Sequence, residues 1–484
     1  MLFNSNAFYV FLPIVFLVYW TAPRKYRWGV LFVASYYFYM SWNVKYVALI
    51  LLTTVVSYVT ALLMERTKRK SLRKLYLTGA LLISLGVLFF FKYYNFLSNS
   101  VTELLQRLAI PVQPHTLELM LPVGISFYTF QTLSYVIDVY RGEVKATRHF
   151  GKYATFISFF PQLVAGPIER TRNLLPQIEG EHTFDCEKAI AGAKLIAWGF
   201  FKKIAIADTI SAYVNLIYDQ LPEHQGFSLV IATVFFAFQI YCDFSGYSDI
   251  AVGVAKLLDI DLMTNFSSPY WASSIREFWS RWHISLSTWF RDYVYIPLGG
   301  NRTKPWRHRL NLMLTFLASG LWHGANWTYV LWGGIHGLGQ IVEDLFLRGE
   351  KKRSRKRTWY GVLLTFTFVC FAWIFFRANT VGDAWYVLTH MFTGIQAPIA
   401  YIRDGILAFR GSGAATGSGM ATLLQALLGI LLLLWYDFAS LKRDVWSSLG
   451  KLWLPLRYLL YFALLFVILY SRQLGEYEFV YFQF

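Results

Sequence analysis

Long charge-free apolar runs alternate with short basic blocks along this chain, and the alternation predicts helices that cross a membrane. A spanning helix needs about 20 apolar residues. Runs of suitable length occur at Trp28–Val44, Tyr46–Met64, Leu75–Phe91, Leu119–Ile137, Gly226–Cys242 and Thr358–Phe376. Two shorter ones, near Ala7–Trp20 and Tyr458–Ser471, are flanked by aromatics. Ala189–Tyr218 is interrupted by lysines, and Gly411–Tyr436 opens on the linker GSGAATGSG. Leu310–Val342 suits two tight or incomplete crossings, which brings the expectation to about eleven or twelve spans. Thr155–Ile168 is apolar too, but Pro161 and Pro167 break it and basic residues flank both sides. Such a segment is re-entrant or interfacial, and its backbone must be shielded by protein or line a cavity.

Basic blocks set the orientation. Those around Arg24–Arg27, Arg66–Lys74, Arg141–Lys152, Arg302–Arg309, Arg348–Arg357 and Lys442–Lys451 all fall inside with one alternation, which leaves both termini outside. The first positive charges follow the first apolar run, the reverse of a cleaved signal peptide, so that helix is expected to be retained. Composition agrees: 56% of the 484 residues are hydrophobic and 15% charged, against about 25% charged in soluble proteins. Disordered, coiled-coil, secreted disulfide-rich and cytosolic enzyme classes are thereby excluded. The net charge of +17 is spent on the loops and calls for no nucleic-acid partner. Cys186, Cys242 and Cys370 form no CxxC pair, so neither a metal site nor a disulfide framework is indicated.

Polar residues inside apolar runs are costly, about 2.5–3.5 kcal/mol when charged at mid-membrane, and three groups of them stand out. His323, in Gly320-Leu321-Trp322-His323-Gly324, lies about 18 Å deep at 1.5 Å per residue. Its imidazole can take a proton from a hydroxyl and return it, and Gly320 and Gly324 leave room beside the ring for a substrate. The bland alternative is a packing histidine in a small-xxx-small helix contact; His336 reads as structural. In Phe278–Tyr293, residues Phe278, Trp282, Leu286, Trp289 and Tyr293 recur at helical spacing, which predicts one amphipathic interfacial helix. It is either a surface anchor or the wall of an inner entrance, with His283 facing the cavity and Arg291, Arg302 and Arg307 placed to hold phosphates. A Gly299-Gly300 turn and a basic loop follow it. In Tyr241–Asp249, Asp243 and Tyr247 share one face and Ser245, Ser248 and Asp249 another. The two carboxylates require partners, for which Arg281 and Arg291 are candidates, and a structural ion-pair network is the bland reading. Walker A, GxGxxG, HExxH and GxSxG motifs do not occur.

FWSRWHISLSTWFRDYVYIPLGGNR (Phe278–Arg302) together with GLWHGANWTYVLWGGIHG (Gly320–Gly337) resembles the membrane-bound O-acyltransferase family, in its bacterial alginate O-acetylation branch. YCDFSGYSDIAVG, FPQLVAGPIER, LPVGISFYTFQTLSYVIDVYRG and the opening MLFNSNAFYVFLPIVF resemble it too, and the teichoic-acid D-alanylation branch is a more distant likeness. The resemblance implies an all-α polytopic membrane protein with a ring of helices around a thinned centre, where a cytoplasmic funnel meets an outer one. It implies His323 as the essential histidine and His283 as the second.

The implied function is O-acyl transfer, acetyl first, from a cytoplasmic thioester to a hydroxyl acceptor outside, for modification of an extracellular or cell-wall polysaccharide. No cofactor is held permanently; acetyl-CoA or an acyl carrier protein serves as donor, and the setting is the bacterial cytoplasmic membrane. Alternatives are D-alanyl or other acyl transfer from a carrier to teichoic acid, and a non-catalytic transporter or scaffold for polymer export. Three segments are expected: residues 1–140 of N-terminal helices, a core over 141–380, and 381–484 ending in an aromatic tail. Asp243, Tyr247, Asp249, Arg281 and Asn326 form the supporting polar core; the oxyanion donor is left open between Trp322, Asn326 and backbone amides freed by the glycines. No soluble domain is long enough to bind a polysaccharide, so an extracytoplasmic acyltransferase or esterase-like partner is expected. The tail Gly475–Phe484 either anchors at the interface or folds back so that Tyr481, or less favourably Tyr477, takes the acyl group. A phenol with a pKa near about 10 makes an ester still activated for a second transfer.

Overall fold

The computed structural model describes residues 1–347, 357–411, 419–472 and 479. Helices are the only regular elements among them, and they pack as two compact units. The first unit comprises residues 1–196 and 250–263. It holds α1 (Asn6–Thr21), α2 (Arg27–Met40), α3 (Val47–Arg66), α4 (Lys70–Lys92), α5 (Tyr94–Arg107), α6 (Ile125–Arg141), α7 (Phe150–Ser158), α8 (Thr171–Glu179) and the start of α9 (Cys186–Phe200). α3 lies against α4 and α6, and α7 against α2 and α3. The run predicted to be helical from Leu119 becomes so only at Ile125, after Pro122 and a left-handed Gly124 at φ 72°.

The proline-broken segment is irregular and shielded by protein. α7 stops at Ser158, and residues 159–170 follow without regular structure yet buried throughout. Several of its polar groups are answered from within the unit. Phe160 N–H donates to Ser35 Oγ at 3.1 Å, and the Phe156 carbonyl accepts from Gln131 at 2.8 Å and from Gln162 at 3.0 Å. Glu169 accepts from Met263 N–H and from Asn173 Nδ2, but burial outweighs these bonds and pushes its carboxyl up to about 7. In the same unit Lys188 bridges Asp259 and Asp261, each at 2.8 Å.

The second unit, residues 197–249 and 264–484, opens with the end of α9, a π-helical turn at Phe201–Ala207 and α10 (Asp208–Asp219). Most of α11 (Phe227–Leu257) follows, then α12 (Ile275–Arg281), α13 (Ile284–Phe290), α14 (Pro305–His323), α15 (Trp327–Leu347) and α16 (Trp359–Arg377). α17 (Val381–His390), α18 (Pro398–Gly411), α19 (Gly419–Ser440), α20 (Val445–Gly450) and α21 (Leu454–Ser471) complete it. The charge-free stretch from Leu310 forms two helices as expected, α14 and α15, joined by Gly324-Ala325-Asn326. They approach so closely that a Cβ on Gly320 would strike the Tyr329 carbonyl, and one on Gly333 the Phe316 carbonyl. The Tyr329 ring covers Gly324. These glycines therefore serve helix packing, and α15 fills the space expected to admit a substrate.

Among the described residues six helices are long and apolar enough to cross a membrane: α3 with its lead-in turn, α4, α11, α16, α19 and α21. α1 is apolar but shorter. The other runs counted in the sequence fold as helices that are shorter, interrupted or less apolar: α2, α6, α9 with α10, α14 and α15. The protein is an all-α polytopic membrane protein.

Candidate active site

The predicted amphipathic helix over Phe278–Tyr293 is broken in two. α12 ends at Arg281, and His283 takes a left-handed conformation, φ 43° and ψ 54°, before α13 begins. A bulky residue in that region is strained, and such strain clusters at functional sites. Residues 265–267 hold the break. Ser267 N–H donates to the Arg281 carbonyl at 3.0 Å, Ile284 N–H to the Asn265 carbonyl at 2.9 Å, and Ser285 Oγ to Asn265 Oδ1 at 2.6 Å. Phe278, Trp282, Leu286 and Trp289 are all buried, so the segment is an inward knee rather than a surface anchor. His283, expected to face an open entrance, is 0% exposed. Its ring meets Phe244 edge-on at 4.5 Å.

His323 closes α14 and is 4% exposed. Its Nδ1 lies 2.7 Å from the Ser319 carbonyl oxygen. A carbonyl only accepts, so Nδ1 carries the proton and Nε2 is the basic nitrogen of the neutral ring. Trp322, Trp332 and Phe376 wall the ring at 4.9, 4.8 and 5.6 Å, and the His283 ring stands 6.4 Å away. His336 is also fully buried and accepts from Trp279 Nε1 at 3.2 Å among Trp332, Phe278 and Phe368, which is the packing role expected of it.

Polar residues on α11 do find partners, but not the arginines. Lys203 contacts Asp243 and Asp208, each at 2.7 Å, and Lys202 contacts Asp249 and Ser245, each at 2.8 Å. The π turn explains the first arrangement, since it brings Lys203 under Asp208 five residues later. Arg281 instead holds Glu277 at 2.9 Å and the Ser267 carbonyl, and exposed Arg291 pairs with Asp292 at 2.8 Å. Burial pushes Glu277 up, but hydrogen bonds from Ser273 and the charges of Arg357 and Arg281 outweigh it and hold the carboxyl below its usual value. Tyr247 meets the buried Phe479 ring at 4.8 Å, and the Lys203 ammonium lies 4.3 Å from that ring. Tyr481 and Tyr477 lie outside the described residues. Lys202, Lys203, Asp208 and Asp437, which accepts from Tyr241 at 2.8 Å, were not anticipated. Two adjacent lysines in an apolar run were the available signal.

The Gly299-Gly300 turn is present, with φ of 108° and 55°. Beyond it Arg302 is exposed and Arg307 half-buried at the start of α14. At the opposite end of α14 a polar cavity of about 490 Å³ is lined by Gly324, Asn326, Gln239, Tyr329, Arg377 and Asn379, among others. Asn326 donates to the Asn379 carbonyl at 2.8 Å and caps α15 through Thr328 N–H.

Residues 143–382 match the sequence profile of MBOAT, the membrane-bound O-acyltransferase family. The chain is 39% identical over 429 residues to the probable alginate O-acetylase AlgI of Pseudomonas aeruginosa, covering 85% of this chain and 81% of that one. The chain belongs to the membrane-bound O-acyltransferase family. The peptidoglycan O-acetyltransferase of Helicobacter pylori is 34% identical over 81% of this chain and 80% of its own. The teichoic acid D-alanyltransferase of Bacillus subtilis is 29% identical over 62% of this chain and 77% of its own. Both histidines, the α12–α13 knee and the residues around the cavity fall in the matched region. As a family member the protein is a multi-pass membrane acyltransferase that uses an acyl donor.

Proposed function

We propose that this acyltransferase moves an acetyl group from a cytoplasmic thioester, acetyl-CoA, to a hydroxyl outside the bacterial cytoplasmic membrane, for O-acetylation of an extracellular or cell-wall polysaccharide. The observation that carries the reading is the His323 tautomer: Nδ1 is engaged by Ser319, and Nε2 is the base, beside a second buried histidine. The acceptor hydroxyl gives its proton to Nε2 as its oxygen attacks the thioester carbonyl carbon. The carbon–sulfur bond breaks, and the departing sulfur takes the proton back from His323. No net proton is released, and a positioned base is worth about 10²–10⁴ in rate. His283 lines the donor side, and Arg291, Arg302 and Arg307 receive the donor's phosphates.

With the basic loops inside and both termini outside, the α14 end at Arg302–Arg309 faces the cytoplasm and the Gly324 cavity faces out. α14 is about 28 Å long at 1.5 Å per residue, which supports access from both faces. The names of the alginate and peptidoglycan relatives favour acetyl over D-alanyl. A final transfer by an extracytoplasmic acyltransferase fits a chain without a polysaccharide-binding domain, and Tyr481 is proposed as the transient carrier that hands the acyl group on. Phe479, two residues earlier, being buried against Tyr247 supports a tail that returns to the protein. Membranes carrying the protein should transfer label from acetyl-CoA to a hydroxyl acceptor; label moving only from an acylated carrier protein would overturn the donor assignment, and Tyr481→Phe acylating polymer at the wild-type rate would overturn the relay.

A further inference from the structure

A groove of about 630 Å³ runs between α15 and α16, with the start of α12 as its floor. Its lining changes character along its length. Glu343, Thr358, Tyr360, Ser273 and Ser274 lie at the end where the basic block 348–357 joins the two helices. Beyond them Ile335, Leu338, Val342, Leu364, Phe368 and Phe371 make an apolar wall, over about 10 Å of each helix at 1.5 Å per residue. Leu338, Leu364 and Phe371 are exposed, so this part opens sideways to the bilayer that α16 is long and apolar enough to cross. An apolar trough ending in polar groups has the shape of one amphiphile, and its volume falls within the about 300–1,000 Å³ usual for small-molecule sites.

Charges at the polar end decide which amphiphile. Glu277 is committed, with Arg281 at 2.9 Å, Arg357 at 3.1 Å and two hydrogen bonds from Ser273. The Arg276 side chain is 61% exposed, and its guanidinium is only loosely tied to Asp344, at 3.8 Å. His308 stands on the same carboxyl at 3.8 Å. Among the described residues Glu343 has no cationic partner; its Oε2 accepts from the Arg276 N–H at 3.2 Å. One accessible cation and one carboxylate therefore stand together where the apolar wall ends. Basic residues alone would select an anionic headgroup. A cation beside a carboxylate instead matches a phosphate followed by an ammonium, each met by a charge-assisted hydrogen bond.

We propose that the α15–α16 groove is a binding site for one zwitterionic amino-phospholipid, phosphatidylethanolamine. One acyl chain lies along Leu338, Leu364 and Phe368, the phosphate meets Arg276, and the ammonium meets Glu343. At its far end the chain reaches Phe368, whose ring packs on His336 at 5.5 Å, so the lipid backs the aromatic packing there. The site takes no part in the transfer chemistry and does not rest on it.

The test purifies the full chain in mild detergent, washes it extensively and counts the retained lipid by mass spectrometry. Stripped protein is then titrated with phosphatidylethanolamine and with phosphatidylglycerol of the same chains. Phosphatidylethanolamine should survive washing at a stoichiometry near one, and should bind about tenfold more tightly than phosphatidylglycerol, the range of one hydrogen bond to a charged group. Leu338→Trp, at an exposed groove position, should lose the retained lipid, while Leu459→Trp, at an exposed position on α21, should keep it. Glu343→Gln should keep a lipid but lose the headgroup preference. No retained phospholipid, equal affinity for the two headgroups, or retention unaffected by Leu338→Trp would overturn the site. Displacement of the lipid by acetyl-CoA would also overturn it, by making the groove a donor entrance.

Discussion

The rings of His283 and His323 stand 6.4 Å apart, one at a left-handed knee between two short helices and the other at the end of a long one. Neither position is reached by chance packing: the knee is held by residues 265–267 and the long helix by its glycine contact with α15. The pair brings a defined base and a second imidazole together in a wall of tryptophans. His283→Ala should therefore reduce acetyl transfer by about 10²-fold, whereas His336→Phe, which preserves the packed ring, should leave turnover near wild type. Comparable losses in the two variants would contradict the division of roles.

Adjacent glycines on α15 should respond differently. A Cβ on Gly333 meets the Phe316 carbonyl, while one on Gly334 finds only Leu317 at 3.7 Å. Gly333→Ala should lower the thermal unfolding midpoint, by about 1–3 kcal/mol of overpacking, and Gly334→Ala should leave it unchanged. Equal midpoints for the two variants would refute the close α14–α15 contact.

Lys203 is 1% exposed and serves two carboxylates, while the Asp249 partner of Lys202 is 28% exposed. Removing one member of a buried ionic group costs about 3–5 kcal/mol. Lys203→Met should destabilise the protein by about that much, and Lys202→Met by less because water reaches Asp249. Thermal unfolding of the two purified variants checks the order, and the reverse order would refute it.

How much of this was legible varies with how local each feature is. His323 stood out because a titratable ring deep in an apolar run is unusual, and the flanking motifs placed it. The partners of Asp243 and Asp249 did not: Lys202 and Lys203 come from a π turn whose register nothing in the local pattern signals. The knee at His283 lacks glycine or proline. Its cause is the hydrogen bonding of Asn265 and Ser267, which a periodicity of aromatics cannot reveal.

Glu169 offers a pH signature. Its folded-state carboxyl is raised from 4.5 to about 7, so the native protein keeps a proton that the unfolded chain releases across that window. By linkage, stability falls as pH rises from about 4.5 to 7 and is flat above it. Glu169→Gln, a permanent mimic of the protonated form, should flatten that slope. An unchanged slope in unfolding midpoints between pH 5 and 7 would exclude Glu169 as its source.

In the proposed transfer His323 Nε2 takes the acceptor's proton. The most direct measurement is transfer of labelled acetyl from acetyl-CoA in membranes carrying wild type or His323→Gln at matched, inserted levels. The variant should lose at least about 10²-fold in rate; turnover near the wild-type rate would rule out His323 as the base.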